Sequence, residues 1–262
     1  MSLEPSASFT ISVVIPAWNE ENRLGTTLDH YLPLLGHISA AHEVIVVVDG
    51  VVDRTGQVAE GYAEQGVRVL THPTKLGKGG ATVKGLRECR FDVIGFVDAD
   101  SSLSQEELSN LVCAARNQGC SIGSRRFISV RGSKRGGRPL SRVILSALWK
   151  GFVRALFWMP ITDTQCGAKF FRRDQVLPVL DSVEVTDWAF DVSILYHLWK
   201  RNVPIVEIPV AWIHEKGSKI RVARVTVGMF MSAMGLRLVN SPFRGRVNPD
   251  LVRRLRALVS QT

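Results

Sequence analysis

Residues 92–100 read Asp-Val-Ile-Gly-Phe-Val-Asp-Ala-Asp, an apolar run of the β type that ends in two carboxylates one residue apart. Successive side chains of a strand point to opposite faces, so Asp98 and Asp100 can share one ion only where the strand ends and the backbone turns. Residues 104–107, Ser-Gln-Glu-Glu, have the form of a helix capping box just after that turn. The layout predicts a divalent metal site open to phosphate oxygens, with simple capping of strand and helix as the alternative.

Strand-like and helical patterns alternate through the first half of the chain. Such alternation predicts an α/β fold with a doubly wound, mostly parallel sheet that binds ligands beyond the carboxyl ends of its strands. Polar motifs fall at those ends, because Pro-Ala-Trp-Asn-Glu at 16–20 follows the first strand and Asp-Gly-Val-Val-Asp at 49–53 follows the second. The predicted strands are residues 10–15, 43–48, 67–70 and 93–97, and the predicted helices are residues 20–35, 55–65 and 79–89.

Length and composition restrict the class of protein. The 262 residues, 45% of them hydrophobic, suffice for a full core in one large domain or two small ones. No run of 18 apolar residues occurs, and the N-terminus lacks a basic region followed by an apolar one. We therefore expect a protein that is neither secreted nor membrane-spanning. The four cysteines have no paired spacing and are expected to be reduced structural thiols.

The net charge of +9 is unevenly distributed. Residues 108–162 contain ten basic residues and no acidic one, and residues 216–262 contain ten basic residues against Asp250 alone. The rest of the chain is therefore acidic overall. Segregation of this kind predicts a surface that meets polyanions, either nucleic acid or an anionic bilayer.

Each basic segment contains a strongly apolar helical pattern, at residues 139–159 and 220–239. A bilayer surface explains both the apolar bulk and the charge, whereas nucleic acid explains only the charge and no nucleic-acid motif is present. The alternative is two core helices with solvated basic faces. The first pattern is enriched in residues that favour the headgroup boundary, namely Trp149, Phe152, Phe157 and Trp158. The second pattern repeats the style with apolar residues set among arginines, namely Met229, Phe230, Met231 and Met234.

Eight motifs in a fixed order resemble family 2 glycosyltransferases, and more narrowly the dolichyl-phosphate glucosyltransferase and dolichol-phosphate mannose synthase branch. The resemblance runs from about residue 11 to residue 219 and implies a GT-A fold, a nucleotide-sugar donor and a polyprenyl or dolichyl phosphate acceptor. It implies a catalytic domain at 1–219, followed by a basic helical extension at 220–262. The motifs occupy residues 13–20, 48–50, 77–80, 98–100, 123–125, 163–169, 188–191 and 217–219.

The resemblance implies a nucleotide-binding role for residues after the first two strands. Pro16, Asn19 and Glu20 resemble the loop that contacts the nucleotide, and Asp49 resembles the carboxylate that accepts from the base. Lys78 is expected to meet donor phosphate, although the glycines around it could serve only the turn into a helix. A helix N-cap is the alternative for Asn19.

The same resemblance assigns residues to the metal and to the sugar. Asp98 is expected to contact the ribose or the metal, and Asp100 to bind Mg²⁺ or Mn²⁺ directly. Ser102 stands where the mannose synthases have a glutamine that assists the metal, so the metal shell is expected to hold more water. Gln165 is expected to hydrogen-bond a sugar hydroxyl, and Cys166 beside it to serve packing.

The acceptor side involves residues farther along the chain. Arg125 is expected beside the diphosphate or the acceptor phosphate, with a surface salt bridge as the alternative. Asp191 occupies the place of the family's presumed general base, with a helix-start acid as the alternative. Ser218 and Lys219 resemble a closing loop that binds phosphate, although the loop could simply be solvated. Lys169 alternates with two phenylalanines in a strand and could be structural or functional.

The implied reaction is inverting hexose transfer to a lipid phosphate at the cytoplasmic face of a membrane. A phosphate monoester is largely dianionic at neutral pH, so Asp191 is expected to position rather than to deprotonate. UDP-glucose is the favoured donor because Asp-Thr-Gln-Cys-Gly at 163–167 resembles the glucosyl branch, and GDP-mannose is the second candidate. A soluble acceptor, or a non-catalytic membrane- or nucleic-acid-binding module, remains open. A separate membrane protein is a further possible partner.

Overall fold

The computed structural model describes residues 9–125, 140–183, 189–211 and 222–240. The strands are β1 Thr10–Ala17, β2 Ala41–Asp49, β3 Val67–His72, β4 Val93–Val97, β5 Cys120–Ser124, β6 Ala168–Arg172 and β7 Ile205–Pro209. The helices are α1 Leu24–Ile38, α2 Thr55–Glu60, α3 Gly77–Glu88, α4 Gln105–Gln118, α5 Leu140–Phe157, α6 Arg173–Leu180, α7 Phe190–Lys200 and α8 Val222–Val239, with a short 3₁₀ turn at Ala63–Gln65.

The seven strands form one sheet in the order β3-β2-β1-β4-β6-β5-β7. β1 pairs in parallel with both β2 and β4, and β5 pairs in parallel with β7. β6 runs antiparallel to β4 and to β5, so it separates two parallel groups of strands. The mostly parallel α/β sheet expected from the sequence is confirmed, and one antiparallel strand interrupts it.

The centre of the sheet is apolar on both faces, as expected where helices cover a parallel sheet. All five residues of β4 are buried. Gly95 in the middle of β4 allows β6 to approach closely, because a Cβ at this position would come within 2.2 Å of the Phe170 ring. The strand that carries Asp98 and Asp100 at its end is therefore rigidly packed.

The four predicted strands and three predicted helices are all present, with shifted ends. α1 begins at Leu24 rather than near residue 20, because residues 18–23 form a turn in which Asn19 has a left-handed backbone with φ of 58°. The alternative of Asn19 as the helix N-cap is wrong, since the cap position is Arg23. α2 stops at Glu60, before Gly61. The capping box of Ser104 and Glu107 is confirmed at the start of α4.

The two apolar basic helices pack against each other instead of exposing all their aromatic residues. The Phe152 and Phe230 rings lie 4.6 Å apart, and Trp149 meets Phe230 edge-on at 5.3 Å. Trp149 and Phe157 are buried in the core, so assigning them to a membrane boundary is wrong. Trp158, which directly follows α5, is 80% exposed, and the exposed large apolar residues of the two helices are Leu148, Met231 and Met234.

No helix in the described ranges is long and apolar enough to cross a membrane. The cysteines of the described residues are free thiols, and Cys113 is the only one of the four that is not buried. The free thiols agree with the expectation from the cysteine spacing. The proposed boundary between residues 219 and 220 lies outside the described residues.

Candidate active site

Lys78 and the two carboxylates after β4 form the centre of the candidate site. Lys78 lies in the first turn of α3, and its Nζ is 2.6 Å from Oδ1 of Asp98. Burial opposes the charge of this lysine, but Asp98 and Asp191 outweigh it and raise its pKa. The turn after β3 thus places the Lys78 ammonium group at the carboxyl end of β4, where the metal site was expected.

Asp100 is held by the residue that follows the turn. Its Oδ1 accepts from the backbone N–H of Ser102 at 3.2 Å and from the Ser102 hydroxyl. Burial raises the pKa of Asp100, the Ser102 hydroxyl opposes this, and neighbouring Asp98 adds to it. Ser102 therefore orients the Asp100 carboxylate through its hydroxyl, whereas a glutamine at this position would assist the metal directly.

Asp98 and Asp100 fit a hard divalent cation. Mg²⁺ and related ions commonly bind through one or two carboxylates and fill their other positions with water and substrate phosphate. The described residues contain no group of three or more histidine, cysteine or acidic side chains that could enclose a metal. The Lys78 ammonium beside Asp98 shows that a cation is favoured at this point.

The nucleotide-side residues surround the carboxyl ends of β1 and β2. Asp49 is buried at the end of β2 and accepts hydrogen bonds from the backbone N–H groups of Leu76 and Gly77. It therefore ties the start of α3, and with it Lys78, to the central sheet. Its predicted contact with a base stays a prediction, because the structure shows only this supporting role.

The loop after β1 is fixed by polar contacts to the α2 region. The backbone N–H of Glu20 donates to Thr55 Oγ1 at 2.9 Å, and its carboxylate binds Arg23 at 2.6 Å. Burial raises the pKa of Glu20, although Arg23 opposes this. Pro16 lies within β1, and Trp18 beyond it is 40% exposed, with Lys75 Nζ 3.5 Å from the ring centroid. Trp18 was not among the predicted site residues, although it lies inside a predicted motif.

Arg125 and Asp163 form a two-pronged ion pair at the end of β5. Nε and Nη2 of Arg125 lie 2.7 and 2.8 Å from the two oxygens of Asp163, and the Arg125 backbone N–H donates to the same carboxylate. Burial opposes ionisation of both groups, but the pair raises the pKa of Arg125 and lowers that of Asp163. The surface salt bridge considered for Arg125 is thus a bridge to a buried partner.

Glu207 on β7 holds the loop that carries Asp163. Its carboxylate accepts from the backbone N–H of Thr162 at 2.9 Å, from the Thr162 hydroxyl, and from the backbone N–H of Asp163 at 3.2 Å. Glu207 was not predicted, because a glutamate that alternates with apolar residues in a strand has no distinctive local signal.

Gln165 lies in the same loop with an unsatisfied donor. Its backbone N–H donates to Asp163 Oδ1 at 3.2 Å, whereas its side-chain Nε2 is buried with no hydrogen-bond partner among the described residues. Buried polar groups normally have partners, so this amide is suited to a ligand acceptor. That property agrees with the predicted contact to a sugar hydroxyl.

Asp191 pairs with a buried lysine. It lies in the first turn of α7, and its Oδ1 is 2.7 Å from Nζ of Lys169 on β6. Both side chains are almost completely buried. Burial raises the pKa of Asp191, and Lys169 and then Lys78 oppose this. The helix-start alternative describes the position of Asp191 but not its contacts, since its carboxylate is buried against Lys169.

The structure brings most predicted side chains of the donor and acceptor halves to one edge of the sheet. Asp98 interacts electrostatically with Lys78, Asp191 and Arg125. Ser218 and Lys219 lie outside the described residues, as does Trp188 of the motif at 188–191. Their predicted roles remain predictions.

A family match agrees with this geometry. The sequence profile described as Glycosyl transferase family 2 matches residues 12–178. The chain belongs to glycosyltransferase family 2. Dolichyl-phosphate beta-glucosyltransferase of Drosophila melanogaster is 37% identical over 235 residues, 84% of this chain and 72% of that protein. The Homo sapiens protein of the same name is 33% identical with the same coverage.

Solved structures show the fold of this glycosyltransferase. Glucosyl-3-phosphoglycerate synthase from Mycobacterium tuberculosis, crystallised with Mn²⁺, uridine diphosphate and glucosyl-3-phosphoglycerate, superposes with a TM-score of 0.67. The match covers 90% of this chain and 82% of the synthase at 18% sequence identity. At that identity the likeness supports the fold alone, and the expected GT-A fold is confirmed.

Proposed function

We propose that this glycosyltransferase transfers glucose from UDP-glucose to a polyprenyl or dolichyl phosphate, with inversion at the anomeric carbon. The observation that carries the proposal is the convergence of Asp98, Asp100, Lys78 and Asp191 at one sheet edge. The relatives named above, which share about a third of their residues with this chain over most of its length, supply the choice of glucose and of a lipid phosphate.

The donor side neutralises the leaving group. Asp98 and Asp100 would hold Mg²⁺ or Mn²⁺, which when bound offsets charge on the nucleoside diphosphate. Lys78, already at this edge, is placed to add a second positive charge as the diphosphate departs. Asp49 keeps Lys78 in place because it accepts a hydrogen bond from the backbone at the start of α3.

The acceptor side needs little proton transfer. A lipid phosphate has its second pKa near about 6 and is mostly dianionic at neutral pH, so it can attack directly. Arg125, held rigidly by Asp163, offers a planar cation for that phosphate. Asp191 would orient the donor sugar or the acceptor, and in-line attack converts an α-linked donor into a β-linked product.

A screen of donors and acceptors tests this proposal. Purified protein receives labelled UDP-glucose or GDP-mannose, with Mg²⁺ or Mn²⁺, and either polyprenyl phosphate or a soluble phosphorylated acceptor. We expect label from UDP-glucose to enter the organic phase only when the lipid phosphate is present. If only GDP-mannose labels the lipid, the donor is GDP-mannose. If neither donor yields lipid-soluble label, the proposal is contradicted.

A soluble phosphorylated acceptor is the second candidate, because the structure favours it at one point. Trp149 and Phe157, expected at a membrane boundary, pack in the core, so part of the apolar bulk that pointed to lipid has another explanation. The soluble-acceptor reactions of the same screen distinguish the two candidates.

We also propose peripheral attachment to an anionic membrane on its cytoplasmic side. Supporting observations are the exposed Leu148, Met231 and Met234 on α5 and α8 and the exposed Trp158 just after α5, together with the basic segments that contain these helices. A separate membrane protein could share the attachment. Nucleic acid is disfavoured as a partner because it would leave these apolar side chains unexplained.

A further inference from the structure

Lys169 is a fully buried lysine in the middle of the molecule. It lies on β6 opposite Phe96 of β4, one residue pair below the end of the strand that carries Asp98. Its Nζ lies 2.7 Å from Oδ1 of Asp191, donates to the carbonyl oxygen of Cys166 at 2.7 Å, and lies 5.4 Å from the Phe96 ring centroid. The ammonium group thus forms an ion pair with one carboxylate from a rigid strand.

The fold gains little stability from such a pair. Removing two charges from water is costly, and apolar side chains of similar volume usually serve a core as well or better. The flanking residues Phe170 and Phe171 are buried and show that an apolar side chain suits this strand. The contact is therefore better explained by what it does to Asp191.

Asp191 also faces the donor half of the site. The charged groups that act on it are Lys169 from β6, Lys78 from α3 and Asp98 from the end of β4. Lys78 in turn lies 2.6 Å from Asp98. The four side chains form a series of alternating charge that runs from the core to the carboxyl edge, and Lys169 is its inner end.

We infer that Lys169 is a positioning residue for glycosyl transfer, whose ammonium group pairs with the Asp191 carboxylate and orients it for the donor. The inference rests on the proposed function, in which Asp191 orients a substrate. Burial alone would favour the neutral acid. A protonated Asp191 would lose its attraction to Lys78 and could no longer act as an anionic acceptor of hydrogen bonds.

The pH dependence of kcat tests this role. In Lys169→Met, burial of Asp191 is no longer opposed by its nearest cation, so the acid limb of the kcat profile should move upward by at least about one pH unit. At a pH on the acid side of the limb this corresponds to a loss of about tenfold or more, recovered at higher pH. Lys169→Arg retains a cation and should keep the limb near its wild-type position.

Phe171→Leu is the matched control, because Phe171 is buried on the same face of β6 and carries no charge. It should lower thermal stability and leave the acid limb in place. If the acid limb of Lys169→Met stays at the wild-type pH, the inference is overturned, however far kcat has fallen. An equal shift in Phe171→Leu would overturn it as well, because the limb would then report general disturbance of the strand.

A double-mutant cycle covers the case in which Lys169→Met alone folds poorly. Lys169→Met combined with Asp191→Asn removes both charges, and it should match the kcat of Asp191→Asn alone within about threefold. A further loss of tenfold or more would mean that Lys169 does not act through Asp191. Wild-type protein that forms no product with any donor refutes the proposed function itself, whereas an active wild type with an unshifted variant refutes only the role of Lys169.

Discussion

At the scale of single residues, the site depends on cations placed against carboxylates. Lys78 meets Asp98, Lys169 meets Asp191, and Arg125 meets Asp163. Each pair joins different elements, so the packing of the fold sets the electrostatics of the site. Changes that remove one member should therefore affect catalysis more than changes at exposed lysines.

Lys78→Met should lower kcat by about 10²-fold, because it removes a charge aimed at the leaving diphosphate. Steady-state kinetics with saturating donor measures the effect. Lys84→Met is the control, since Lys84 is exposed on the same helix and should leave kcat within about twofold. Similar losses in both variants would argue against a specific role for Lys78.

The sequence predicted the residues whose local motifs carry their chemistry and missed those defined only by distant contacts. Asp98, Asp100 and Lys78 follow from strand ends and glycine turns, and the structure brings them together. Lys169 was left undecided because its partner is 22 positions away and reaches it only through the packing of α7 on β6. Glu207 was missed for the same reason.

At the scale of elements, the neighbouring strands β1, β2 and β3 are joined by a buried polar cluster. Glu43 on β2 accepts from the Ser12 hydroxyl at 2.7 Å, from Arg68 Nη1 at 2.7 Å and from the backbone N–H of Arg90 at 2.9 Å. Burial opposes ionisation of Glu43, but Arg68 and Ser12 outweigh it and lower its pKa. The cluster ties the end of α3 to the strands.

Glu43→Gln should lower the free energy of unfolding by about 2 kcal/mol at neutral pH, since hydrogen bonds to a charged group are lost. Because the folded pKa of Glu43 is depressed, its stabilising charge is fully present above the unfolded pKa of about 4.3. It is lost as pH falls through the folded pKa, so the difference between wild type and variant should shrink in acid.

Urea unfolding at several pH values measures this effect. Glu64→Gln is the control, because Glu64 is exposed in the 3₁₀ turn and should change stability by less than about 0.5 kcal/mol. A constant difference across the acid range would contradict the assignment of the stabilisation to the Glu43 carboxylate.

Helix environment was harder to predict than helix existence. The apolar patterns of α5 and α8 are genuine, but apolar periodicity does not distinguish a bilayer from another helix as the partner. The aromatic contacts of Trp149, Phe152 and Phe230 show that the two helices partly serve each other. Only the residues left outside that contact remain candidates for a membrane surface.

At the scale of the whole molecule, the segregated basic charge and the exposed apolar residues fall in the same stretches of the chain, those around α5 and α8. Trp158 is their most exposed large apolar side chain and has a left-handed backbone, with φ of 59°, that a bulky residue rarely adopts. Because strained residues often cluster at functional sites, Trp158 is the residue to test for membrane contact.

Trp158→Gly should weaken binding to anionic vesicles severalfold, because it removes an indole suited to the headgroup boundary while relieving the backbone. Flotation with phosphatidylserine-containing vesicles measures the bound fraction. Asn202→Gly is the matched control, since Asn202 is exposed with φ of 57° and carries no apolar group. Equal binding by both variants and wild type would remove Trp158 from the contact surface.

The anomeric form of the product is the most direct test of inverting transfer to a lipid phosphate at the Asp98 and Asp100 site. Wild-type protein and Asp100→Asn are incubated with UDP-glucose, polyprenyl phosphate and Mn²⁺, and the lipid fraction is examined by NMR. We expect a β-linked glucosyl lipid phosphate from wild type and at least about 10²-fold less from Asp100→Asn. An α-linked product, or undiminished product from Asp100→Asn, would contradict it.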